Sequence, residues 1–212
     1  MTSIAIIGAS PEMGLAIGRT FGSHGFDVAL ISRGSTEIDD LVARLGKEDI
    51  SAAAFPVDVL GGDALGRGID KAARRFGGID VLKYSAMKTA TQRSALADPS
   101  EVYGAIAATN AVLPAMREAN AGTLLYTTGA GSIGHVNELV GVRPAEAALR
   151  DWVLKLHEEL AGSGIHAAHV AIDAKIGSSS FYGQPRVTPA QVAPIYWDLY
   201  TNRETAERIF RG

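Results

Sequence analysis

Six short apolar runs, separated by amphipathic stretches, dominate this sequence: SIAIIGA, DVALISR, SAAAFPVDV, GIDVLKYSA, GTLLYTTG and GIHAAHVAID. Runs that are apolar throughout, rather than alternating with polar residues, suit strands covered on both faces. The intervening segments carry a helical period over residues 13–24, 36–46, 62–76, 98–119 and 144–162, and from 188–194 on toward 210. Regular alternation of this kind predicts a doubly wound α/β fold, with one parallel sheet between two helical layers. Gly25, Gly77, Gly122 and Gly164 stand where a left-handed residue would cap a helix before the next strand.

With 212 residues, the chain supports one well-buried domain, with a first half to about residue 90 and a second from 91–212. Its 47% hydrophobic and 20% charged residues exclude wholesale disorder. A net charge of -3 argues against nucleic acid as a partner. Without cysteine there is no disulfide and no thiolate site. The five histidines are scattered, with no metal-ligand spacing, so no metal is expected. The first apolar run stops at Gly8, and no run reaches membrane length; a cytoplasmic protein without a membrane partner is expected. GSSSFYGQP, a loop rich in Ser and Gly, follows the sixth strand, beyond the carboxyl ends where open α/β sheets bind ligands.

IAIIGASPEMGLAIGRTFGSHGFDVALISR reads as a strand, a glycine turn, a helix and a second strand ending in Arg33. Gly8 permits the tight turn and Gly14 lets the helix start close to the sheet. Exposed amides at that helix N-terminus favour phosphate. In this strand-turn-helix context, the turn points to dinucleotide binding in a Rossmann-like sheet.

Over nearly its whole length the sequence resembles the short-chain dehydrogenase/reductase family. GASPEMG is similar to that family's G-x-x-x-G-x-G turn, and PVDV to its adenine-contacting Asp and Val. AVLPAMRE is similar to the end of its fourth helix, and AALRDWVLKLHEELAGSGIHAAHV to its fifth helix and sixth strand. The resemblance implies NAD or NADP, and a basic residue after the second strand implies NADP. Arg33 would pair with the 2'-phosphate with Ser10 nearby, and Asp58 would hold the adenine amine beside Val59. Gly8, Met13, Gly14, Ala86 and Ile176 are implied as further cofactor contacts. Arg33 and Asp58 each have a plainer alternative, Arg33 as a solvated strand-end charge and Asp58 as a turn residue, but their joint placement favours the site.

Glu12 stands in place of the turn's middle glycine. A carboxylate about 5 Å from a phosphate costs on the order of 3 kcal/mol at an effective dielectric near 20. That exceeds what a helix terminus supplies. Pointed into water, the same group simply complements the helix dipole, so side-chain orientation decides.

The resemblance also implies a Tyr and a Lys one helical turn apart, with a Ser and an Asn. Val142 falls at the Tyr position, Glu146 at the Lys, Glu101 at the Asn, and Tyr84–Met87 replaces the NNAG segment. The hydroxyl is Thr128 by strand register, with Ser132 as the other candidate. Asp173 and Ala174 replace a Pro-Gly pair, while Ile176 and Ser178 keep apolar and hydroxyl positions. Pro144 suits a first helical turn, which places Glu146 against the helix dipole with Arg150 at i+4 to pair with it. The functional alternative makes Glu146 a general base or ribose acceptor in the cleft. YSAMK, Tyr84–Lys88, is itself a Y-x-x-x-K string at a strand end; Tyr84 is expected to border the cleft. His135 is a further polar candidate.

Three functions follow. The first is an NADP(H)-binding oxidoreductase without the usual pair, using a hydroxyl such as Thr128 or Tyr84, or water, on a small-molecule substrate. The second is a cofactor-free isomerase, cyclase or dehydratase with Glu146 as base and Tyr84 as acid. The third is a binding subunit. Ala148, Trp152, Leu156 and Leu160 form an apolar stripe, and the resemblance implies a homodimer or homotetramer through this helix. Tyr196, Trp197 and Tyr200 are expected to cover the cleft or meet a subunit.

Overall fold

The computed structural model describes residues 2–85, 99–133, 143–177 and 186–212. Seven strands form one sheet: β1 (Ser3–Ile7), β2 (Asp27–Ser32), β3 (Ala52–Pro56), β4 (Val81–Tyr84), β5 (Gly122–Gly129), β6 (Ile165–Asp173) and β9 (Glu207–Arg211). Their order is β3-β2-β1-β4-β5-β6-β9, all parallel. The order reverses between β1 and β4, and the crevice beyond their carboxyl ends is the binding position of such sheets. Two short strands, β7 (Lys175–Ile176) and β8 (Arg186–Val187), pair beside it.

Helices α3 (Gly62–Phe76), α4 (Ser100–Ala119) and α5 (Arg143–Glu159) cover one face, where Leu65, Ala105, Val112, Leu149 and Val153 pack on the sheet. Helices α1 (Met13–Gly22), α2 (Ser35–Gly46), α6 (Pro189–Val192) and α7 (Pro194–Asn202) cover the other. The doubly wound α/β sandwich read from the apolar runs is therefore the fold.

Several local expectations are corrected. The last helix ends at Asn202, where Arg203 takes a left-handed conformation (φ 55°), and ERIFR forms β9 instead of continuing the helix toward 210. Gly77 is a left-handed cap, but Asn120 caps α4 (φ 49°) and Gly122 opens β5. A side chain at Gly122 would collide with Met116, which accounts for the glycine there. The buried face of α5 is Leu149, Val153 and Leu156, continued by Leu160 just past its end, with Trp152 half-buried on the same core and Ala148 exposed. Arg150 makes its ion pairs with Glu207 and Asp151 and not with Glu146.

Period two along β4 sends Lys83 and Tyr84 to opposite faces. Tyr84 enters the layer under α3 and α4, and Lys83 faces the α1 and α7 side beside Tyr196.

Candidate active site

A cleft of about 380 Å³ opens beyond the carboxyl ends of β1, β4, β5 and β6. Gly8, Ser10, Glu12 and Met13 form its glycine-turn wall. Lys83 and Ser85 contribute from β4, Thr127, Thr128 and Gly129 from β5, and Ile172, Ala174, Lys175 and Ile176 from β6 and the segment after it. Tyr196 of α7 completes it.

The turn has the geometry its residues require. Gly8 has φ 75°, a region open to glycine. A Cβ on Gly14 would lie 3.0 Å from the Ala9 Cα, so the helix begins closer to the sheet than a side chain permits. Ser10 Oγ accepts a hydrogen bond from the Gly14 amide at 3.4 Å. Glu12 turns inward: its carboxylate occupies the space where Gly177 (φ 63°) lacks a side chain, bridging the glycine turn and the segment after β7.

The adenine-side candidates lie outside the cleft. Arg33 is exposed beyond β2 and Asp58 beyond β3. Asp58 Oδ1 accepts from the Leu60 amide at 3.2 Å, and Asp58 O from the Gly61 amide, so this residue shapes a turn. Val59 is buried in the α3/α4 layer.

Tyr84 does not border the cleft, contrary to its strand-end position. Only 1% exposed, it donates to the Glu101 carbonyl at 2.9 Å and packs against Gly104. Burial first, then the Glu101 and Tyr126 charges, raises its pKa beyond the ordinary phenol range. Neither position nor acidity suits it to proton donation. Glu146 stands in the first turn of α5, yet its side chain is buried and Oε1 accepts from the Gly129 amide at 3.3 Å. It therefore braces the end of β5, beyond its place at a helix start. Ala86 to Lys88, His135, Val142 and Ser178 lie outside the described residues.

Thr128 belongs to a chain of polar groups that the sequence did not disclose. Its Oγ1 lies 2.7 Å from Ser132 Oγ and 2.8 Å from His169 Nε2. His169 Nδ1 lies 3.0 Å from Glu207 Oε1, and Arg150 clamps Glu207 with bonds of 2.6 and 2.9 Å. Burial lowers the His169 pKa, more than Glu207 raises it. The Arg150 guanidinium, with help from His169, lowers that of Glu207. A neutral imidazole facing a carboxylate carries its proton on Nδ1, so Nε2 accepts the Thr128 hydroxyl proton. Ser132 donates to the Gly129 carbonyl at 3.0 Å.

On the other face, Thr127 and Tyr196 share a hydrogen bond of 2.7 Å between their hydroxyls. Tyr196 thus lines the cleft, as one expectation had it, while Trp197 and Tyr200 pack on Phe21 and Phe26 within the fold. Lys83 is the other group that motif reading missed. The signal was present: a lysine inside a strand buried on both faces is rare.

Sheet order, switch-point cleft and glycine turn define an α/β protein of the Rossmann class. The short chain dehydrogenase family model matches residues 2–174. A fatty acyl-CoA reductase of Mycobacterium tuberculosis is 25% identical over 97% of this chain and 75% of its own length. An oxidoreductase of Botryotinia fuckeliana is 27% identical over 78% of this chain and 63% of its own. Among solved structures, L-sorbose reductase from Gluconobacter frateurii, complexed with NADPH and L-sorbose, superposes with a TM-score of 0.85. It shares 17% identity over 100% of this chain and 95% of that one. A metagenomic short-chain oxidoreductase in complex with NADP gives 0.82 at 20% identity, over 99% of this chain and 96% of that one. The chain belongs to the short-chain dehydrogenase family of oxidoreductases.

No group of three His, Asp or Glu side chains could hold a metal among the described residues. No described helix is long and apolar enough to cross a membrane.

Proposed function

We propose that this protein is an NADP(H)-dependent oxidoreductase of a small carbonyl/alcohol pair, with Thr128 in place of the usual Tyr/Lys pair at the proton step. The observation that carries the reading is one continuous cleft from the glycine turn, past Ser85, to Thr128 and Ile176. Gly8 and Gly14 offer a backbone cradle at a helix N-terminus that fits a diphosphate. Arg33, at the end of β2, suits a 2'-phosphate. Bound solved relatives that carry NADP or NADPH support the same choice. When bound, the nicotinamide supplies hydride exchange.

The chain's own part is the proton. In the alcohol-oxidising direction, Thr128 Oγ1 accepts the substrate hydroxyl proton while passing its own to His169 Nε2. Glu207, held by Arg150, stabilises the resulting imidazolium, as the acid of a hydroxyl-imidazole-carboxylate triad does. Carbonyl reduction runs the same path backward, with Thr128 donating to the carbonyl oxygen. Glu12 opposes a diphosphate in its inward position and must swing away from Gly177 for the cradle to fill.

Thermal unfolding with NADPH and, separately, with NADH tests the reading. Saturation at about a hundred times Kd adds ~2.7 kcal/mol, several degrees for a domain of this size. A shift with NADPH alone is the expected result; no shift with either cofactor overturns the proposal.

A further inference from the structure

Lys83 sits in the middle of the sheet, in register with Ile6 on β1 and Leu125 on β5. It is 2% exposed and borders the cleft. Among the described residues its ammonium has no hydrogen bond or ion pair. Its one polar contact is the ring face of Tyr196, 5.7 Å from Nζ to centroid, and the Tyr196 hydroxyl is already committed to Thr127. A cation-π contact offsets only part of the desolvation of a charge.

The surroundings therefore select the uncharged amine. Burial alone lowers the Lys83 pKa to about 7. The other titratable groups on the cleft, Glu12, Lys175 and Tyr196, form no ion pair with it. An anion site converges several donors on its ligand; here the flanking side chains are two aliphatic residues and an aromatic ring. A desolvated amine on the wall of an otherwise accessible cleft has the character of a nucleophile.

We propose that Lys83 captures an aldehyde or ketone in this cleft as an imine. The Nζ lone pair adds to the carbonyl carbon and the carbonyl π pair moves to oxygen. A proton passes from nitrogen to that oxygen, giving a carbinolamine. The C–O bond then breaks with uptake of one further proton, water leaves, and the C=N bond forms. No oxidant, reductant or cofactor is consumed. The site thus offers carbonyl chemistry independent of the nicotinamide reading.

The test uses the whole protein, propanal at pH 7, and borohydride to fix any imine as a propylamine, located by peptide mapping. Lys83 carries the propyl group in preference to the exposed Lys47, Lys71 and Lys155 by more than about tenfold, since ordinary lysines hold almost no free amine at that pH. Lys83→Met and Lys83→Arg each lose that label while keeping the weak background and a cooperative melt. Labelling spread over surface lysines with Lys83 unmodified overturns the proposal. So does an unlabelled Lys83 together with stabilisation by inorganic pyrophosphate of the wild type but not of Lys83→Met, which marks an anion site. Melting with NADPH, run in parallel, reports on the cofactor reading by itself.

Discussion

Thr128 and His169 occupy adjacent strands on one face of the sheet, with Thr128 Oγ1 2.8 Å from His169 Nε2. The imidazole is buried, and its far nitrogen meets Glu207. Hydroxyl, imidazole and carboxylate are thus in line, with only the hydroxyl at the cleft wall.

If this line carries the proton, Thr128→Val and His169→Gln each lower kcat about 100-fold or more with KM little changed. Thr128→Ser keeps the hydroxyl and most of the rate. Steady-state kinetics on any turned-over carbonyl checks this. An equal loss in the serine variant would assign Thr128 to packing.

On the proposed function, Glu12, which lines the cleft with its carboxylate against Gly177, opposes a bound diphosphate. Glu12→Gln removes the repulsion, and NADPH binding tightens by about a hundredfold, on the order of the 3 kcal/mol expected at about 5 Å. A fluorescence titration reads the change. Unchanged affinity would mean that the carboxylate leaves the cleft without cost.

Lys83 titrates at a lower pH in the folded chain than in the unfolded one. Between about pH 7 and 10 the unfolded state therefore binds more protons, and this group's contribution to stability rises with pH across that window. Lys83→Met removes the dependence. The variant is more stable than wild type at pH 7, and the difference shrinks toward pH 10, as denaturant melts at both values will record. A variant less stable at pH 7 contradicts an uncompensated buried amine.

His166 behaves similarly at lower pH. Burial, followed by His157 and Arg203, lowers its pKa to about 4, and its Nε2 has no hydrogen-bond partner among the described residues. Unfolded, it protonates near 6.5, so stability falls as pH drops from there toward 4, by up to roughly 3 kcal/mol. His166→Phe flattens that limb. Urea melts at pH 4, 5 and 7 measure it, and an unaltered slope would place the acid sensitivity elsewhere.

The sheet and its switch point were legible because five largely buried strands and the half-buried edge strand β3 leave short apolar runs, and because Gly8 and Gly14 mark a tight turn into a helix. β9 was not legible. ERIFR is a half-exposed edge strand with three charges among its five residues and no apolar run, and the helical pattern before it runs close to its start. Losing β9 also hid Glu207, and with it the role of Arg150, which local spacing assigned to Glu146. Pairings such as Arg150 with Glu207 join residues far apart along the chain, beyond the reach of a helix-period rule. Tyr84 failed for a different reason. Being at a strand end said that it was near the cleft, but the two-residue period decides the face, and that face belonged to Lys83.

β9 closes the sheet next to β6, and its first residue is the carboxylate behind His169. A chain with six strands assembled would already own a cleft, a glycine turn and Thr128, yet its imidazole would be unbacked. On the proposed function, the cleft is built without this edge strand, whereas the carboxylate that backs His169 is supplied by it. On that reading, fraying of this edge spares ligand binding and slows the proton step.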